Sequence, residues 1–159
     1  MAGMRYVVNL QLTPEEAPET LFSIVAPATS SLLWESIEVN PLGATAAVVN
    51  TQFDVCKTDV STTGMTALAA GEAAILPPVK SGDAEAIAAT LKKKAAGVGE
   101  PANPLVRFKF ASHPETPRFY QFPVPGGAML IRAGEQWTLR WFAPSSPFVA
   151  VGLSMIFQE

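Results

Sequence analysis

Apolar and polar side chains alternate at every second position over long stretches of this chain. In "RYVVNLQL", Tyr6, Val8, Leu10 and Leu12 share one face, and Arg5, Asn9 and Gln11 lie opposite. A period of two is the signature of a strand with one buried face. "ATAAVVNTQFDVCKTD" repeats it, with Val49, Thr51, Phe53 and Val55 on one side and Asn50, Gln52 and Asp54 turned towards water or a partner. The closing segment "PFVAVGLSMIFQE" sets Val149, Val151, Leu153, Met155 and Phe157 against Ala150, Gly152 and Ser154. "LVRFKF" places Val106, Phe108 and Phe110 together, and "EQWTLRWF" aligns Trp137, Leu139 and Trp141. "LFSIVAP" and "AMLIRAG" read as shorter strands, with Ala133-Gly134-Glu135 as the tight turn between the two late strands, and Met65–Leu68 as a weak one. In "SLLWESIEVNP", alternation puts Leu33, Ile37 and Val39 on one face and Trp34, Ser36 and Glu38 on the other, with Glu35 breaking the pattern.

One segment carries the opposite signal. In "SGDAEAIAATLKKKAAGVG", Ser81 or Asp83 can cap a helix, and Ala84, Ile87, Ala88, Leu91 and Ala95 form a narrow stripe. The lysines would occupy its last turn and Gly97 would stop it. A sheet context can override so weak a stripe, so helix and strand both stand for residues 83–95.

Fourteen prolines and eleven glycines punctuate the chain, which suits many short strands and not a helical bundle. The expectation is an all-β, antiparallel β-sandwich over residues 1–159, jelly-roll-like, of about eight strands and with at most one short helix. A chain of 159 residues is one ordinary domain.

Composition narrows the function. Hydrophobic residues make up 48% and charged residues 16%, which fits either a large core or a surface buried against a partner. Residues 1–80 hold 3 basic and 8 acidic groups, net −5; the remainder holds 8 basic and 6 acidic, net +2. Neither half can neutralise a run of phosphates, so no nucleic-acid partner is expected. "KKK" at Lys92–Lys94 reads as a solvated face. No apolar run is long enough for a membrane span and no signal-peptide pattern opens the chain, so synthesis in a cytoplasm is expected.

The candidate chemistry is thin. His113 is the one histidine and Cys56 the one cysteine, which leaves no ligand set for a transition metal and no disulfide. A Cys56–His113 pair and a Glu35–Glu38 carboxylate pair are the remaining catalytic candidates, and neither has a supporting motif. The acidic clusters Pro14–Glu16 and Asp83–Glu85 lack the spacing of a calcium loop. The expectation is therefore no enzyme, no metal and no cofactor. Trp137 and Trp141 read as core, with an exposed sugar-stacking platform as the other reading. "RFYQF" offers Arg118, Phe119, Tyr120 and Phe122 as candidate partner contacts, since arginine among aromatics is common in interface anchors.

In order along the chain, "TLFSIVAPATSSLLWESIEVNP", "ATAAVVNTQFDV", "VKSGDAEAIAAT", "PGGAMLIRAGEQWTLRW" and "VAVGLSMIFQE" resemble a family of small phage-associated virion proteins with a jelly-roll-type sandwich. The resemblance implies a capsid decoration or cement protein, located on the virion. It would contact the major capsid protein or other virion proteins, and a homo-oligomer, first of all a trimer, would be its working form. The family has no catalytic motif, so no site residue is carried over. The alternative is a carbohydrate-binding or receptor-binding module, as at a fibre or tail tip.

Overall fold

A computed structural model describes residues 4–13, 19–42, 51–58, 65–76, 87–94, 104–113, 116–142 and 150–159. These residues are all-β, without a helix, and form two antiparallel sheets. The strands are β1 (Arg5–Leu12), β2 (Glu19–Val25), β3 (Leu32–Leu42), β4 (Thr51–Thr58), β5 (Thr66–Ala67), β6 (Ala73–Ile75), β7 (Thr90–Lys93), β8 (Leu105–Ser112), β9 (Arg118–Gln121), β10 (Met129–Ile131), β11 (Gln136–Phe142) and β12 (Ala150–Gln158). That is twelve strands against the eight or so expected, the additions being short.

The first sheet runs β10-β3-β12-β1-β6, with β9 also on β3; the second runs β5-β7-β2-β11-β4-β8. The early strands pair in order with the late ones. β1 pairs β12, β2 pairs β11, β3 pairs β9 and β10, and β4 pairs β8. The chain is thus a long hairpin whose two arms switch sheets together. One switch is visible where Ala26–Ser31 runs beside Arg132–Glu135. There the Ala26 amide donates to the Glu135 carbonyl at 3.0 Å, and the Gly134 amide to the Pro27 carbonyl at 3.0 Å. Gly134 has φ +74°, a left-handed conformation that glycine adopts without strain. The Ala133-Gly134-Glu135 turn therefore joins strands of different sheets and not two paired neighbours.

The core lies between the sheets. Trp34 of β3 sits at its centre, with its ring centroid 5.1 Å from Phe157, 5.6 Å from Phe122 and 6.0 Å from Phe22 of the opposite sheet. Its indole N–H donates to the Ser36 carbonyl at 3.2 Å. Tyr6 is also fully buried; burial first, then the Glu159 carboxylate, pushes its phenol far above the ordinary 10.

Three bulges correct the face assignments. β3 loses register with β12 between Ile156 and Phe157, so Glu35 is the extra residue. The phase of alternation flips there, and Leu32 and Trp34 join Ile37 and Val39 in the core, while Leu33 turns outward. β8 slips at Arg107, so Phe108 lies opposite Val55 but Val106 lies opposite Cys56, on the other face. β2 slips at Leu21, which lets Leu21 and Phe22 both be buried.

The helical reading fails wherever it can be judged. Thr90–Lys93 is a strand, pairing Leu91 with Ile24 and Lys93 with Phe22. Residues 83–86 and Ala95 lie outside the described residues. Pairing along β2, extended by the Lys94 amide donating to the Leu21 carbonyl at 2.9 Å, outweighs the weak alanine stripe. The lysine run is not a solvated face either. Lys94 forms a buried ion pair with Glu19 (3.0 Å; side chains 6% and 3% exposed), and Lys93 pairs with Glu72.

Candidate binding surface

The four candidate contact residues lie on β9 and the loop after it. β9 and β10 pair with the same edge of β3, at Ser36–Val39 and Leu32–Trp34, on either side of the Glu35 bulge. Between them Phe122–Ala128 leaves the sheet through a turn in which Gly126 and Gly127 have φ +81° and +72°. The chain leaves the edge where the bulge interrupts it.

This geometry separates the four. Phe122 is 2% exposed and fills the core between Trp34, Phe108 and Tyr120. Tyr120 stacks on Phe110 with centroids 4.5 Å apart, closing the side of the sandwich between β9 and β8. Burial pushes its phenol up, against an opposing pull from Arg118. Arg118 and Phe119 are exposed, and as successive strand residues they point to opposite sides. Phe119, 59% exposed, lies opposite Glu38 on the outer face of the first sheet. Arg118 faces the junction of the sheets, where it lines a pocket of about 430 Å³ with Ala111, His113, Thr116 and Pro117. The Thr116 amide donates to the His113 carbonyl at 3.1 Å and tightens that turn.

The charges are unevenly distributed. Each carboxylate among the described residues has a partner in the chain. Glu19, Glu35, Asp54, Glu72 and Glu135 pair with Lys94, Arg5, Arg140, Lys93 and Lys57. Glu38 accepts from Asn40, and Glu159 from the Ala88 and Ala89 amides. Burial raises the carboxyls of Glu72 and Glu135. Their lysines and local amides more than offset that and hold both below the ordinary 4.5. By contrast Lys92, Arg107, Lys109, Arg118 and Arg132 have no ion-pair partner among the described residues, and three of these five lie on β8 and β9. β8 ends its sheet, and its Leu105, Arg107, Lys109 and Ala111 are all exposed. Among the described residues, one side of the sandwich therefore presents an unpaired strand edge with several unpaired cations, a cue that charge arithmetic over whole halves of the chain obscures.

The catalytic candidates do not assemble. Cys56 is buried in mid-sheet. His113 follows Ser112, which pairs with Thr51, five residues along β4 from Cys56 and so roughly 17 Å away. Glu35 is neutralised by Arg5, and Glu38 holds the Asn40 amide at 3.1 Å. Trp137 and Trp141 are 6% and 0% exposed and belong to the core, not to a platform. Among the described residues no cluster of three metal-ligating side chains occurs, and no helix is long and apolar enough to cross a membrane. Pro14–Glu16 and Asp83–Glu85 lie outside the described residues. No family model, curated protein or solved structure matches this chain.

Proposed function

We propose that this chain is a non-enzymatic virion structural protein, a capsid decoration or cement protein that binds across neighbouring capsid subunits. The observation that carries the binding reading is the β8 edge, which pairs with no further strand among the described residues and where Arg107, Lys109 and Arg118 have no ion-pair partner among them, while the described carboxylates do have partners. Edge strands are templates for pairing with another chain, and unbalanced cations select an acidic one. The sheet pairing supports a jelly roll. With β9 and β10 taken as one interrupted strand, and β5, β6 and β7 set aside, eight strands pair first with eighth, second with seventh, third with sixth and fourth with fifth.

Binding to the assembled shell and not to free subunits would stabilise it by mass action. Trimers around a symmetry axis would place three such edges over three subunit junctions. The test is co-sedimentation of the purified chain with phage shells assembled from major capsid protein alone, followed by heating of the complex. Retention, a raised melting temperature and loss of both in Arg107→Glu/Lys109→Glu are expected. A chain that stays in the supernatant would overturn the proposal.

A further inference from the structure

The outer face of the first sheet holds a polar depression. Its register aligns Asn9, Ser154, Glu38 and Phe119 in one row, on β1, β12, β3 and β9, and Gln11, Gly152 and Asn40 in the next. Gly152 contributes no side chain, so the flanking Gln11 and Asn40 leave a notch. The notch opens into a depression of about 380 Å³ lined by Asn9, Gln11, Asn40, Gly152 and Ser154, with Leu10 and Leu153 below. The geometry points to a binding site for a neutral glycan, with Phe119 as its stacking platform.

Three features favour this ligand. The lining contains amides and a hydroxyl, which both donate and accept, as sugar hydroxyls do. Asn40 donates to Glu38 Oε1 (3.1 Å), which fixes its amide and leaves its carbonyl as an acceptor for a ligand hydroxyl. The electrostatics favour a neutral molecule, because the lining has no cation to hold an anion and Glu38, one carboxylate at the margin, repels one. The third feature is the ring. Phe119 is 59% exposed and two strands from Ser154, about 10 Å at sheet spacing, so one or two pyranose rings span from notch to platform. An aromatic face packs against the C–H face of a sugar while the amides take its hydroxyls. Of the apolar residues of this face, Leu33 and Leu130 lie at the far end, while Val7 and Ile156 form the row that borders the amide cluster.

The test is an array of immobilised neutral oligosaccharides (glucose, mannose, galactose and N-acetylglucosamine oligomers) probed with the full chain, then calorimetry with the best binder. Heparin is the polyanion control. The expected result is saturable binding at millimolar ligand or better, weakened about tenfold or more in Phe119→Ala and in Asn40→Ala. Gly152→Gln, which fills the notch from a regular strand position, should abolish it. Melting temperature and tryptophan emission of each variant show that it is folded. Binding that survives all three substitutions, or no binding to any oligomer, would overturn the site. Capsid co-sedimentation should be unchanged in these variants, and glycan binding unchanged in Arg107→Glu/Lys109→Glu, so the two proposals fail separately.

Discussion

The two sheets turn similar kinds of side chain away from the core, and the two outer faces meet different fates. On the first sheet Asn9, Gln11, Glu38, Asn40 and Ser154 remain at least partly exposed to solvent. On the second, Thr20, Ser23, Asp54, Cys56, Thr138 and Arg140 are all 6% exposed or less. They form adjacent rows, Ser23–Thr138–Cys56 and Thr20–Arg140–Asp54. Asp54 accepts from Arg140 at 3.2 Å and from Gln52 at 2.7 Å, and Gln136 donates to Ser23 at 3.0 Å. A polar residue that points away from the core is thus not necessarily wet. Over β2, β11 and β4 the second sheet has two buried faces, one apolar and one held by polar contacts. Such contacts are costly to break and add little when whole.

The largest expected effect follows from that asymmetry. Asp54→Ala takes a carboxylate partner from the buried Arg140 guanidinium and should cost about 3 kcal/mol in urea unfolding. The paired replacement Asp54→Leu/Arg140→Met should recover most of it. If the single change costs no more than a surface substitution, the face is wet and the comparison fails.

A smaller effect of opposite sign is expected at Thr138. Its hydroxyl is fully buried without a hydrogen-bond partner, so Thr138→Val should raise stability by about 1 kcal/mol. Thermal unfolding measures it; a loss would mean that the hydroxyl is bonded.

Acid addresses the pairs at the margins. Glu72 and Glu135 have folded pKa values below 4.5, so their contribution is present above that pH and is lost as pH falls through the depressed folded values. A fall in melting temperature below about pH 4.5 should shrink in Glu72→Gln/Glu135→Gln. An unchanged acid profile would show that neither pair matters.

The smallest effects belong to the open face. Glu35→Gln breaks a solvent-exposed pair with Arg5 and should cost at most about 1 kcal/mol. Phe119→Ala should change stability by about 0.5 kcal/mol or less. A larger loss at Phe119 would place the ring in the fold and not on its surface.

The sequence pattern was legible where pairing is regular. β1 and β12 run eight residues in unbroken register, and Tyr6, Val8, Leu10 and Leu12 are buried as alternation predicts. It misled at Glu35 and Arg107, because one inserted residue reverses inside and outside and leaves no mark in composition. It misled at Lys94 and Asp54 because partners far along the chain, Glu19 and Arg140, decide whether a charge is buried. For the contact residues, alternation in "RFYQF" could have separated Phe119 from Arg118 and Tyr120. The interruption that sends Phe122 into the core depends on the opposing strand.

The long-hairpin pairing also has a consequence in time. Arg5 meets Gln158 and Leu12 meets Val151, the widest sequence separations among the described strand pairs, whereas β4 meets β8 across a much shorter span. Closing a wide loop costs more entropy than closing a narrow one, and chains dominated by such closures fold slowly. The molecule is therefore built to assemble from its middle outward. In pulse-labelled hydrogen exchange the amides of β4 and β8 should gain protection first, and the β1–β12 seam should be the last to close.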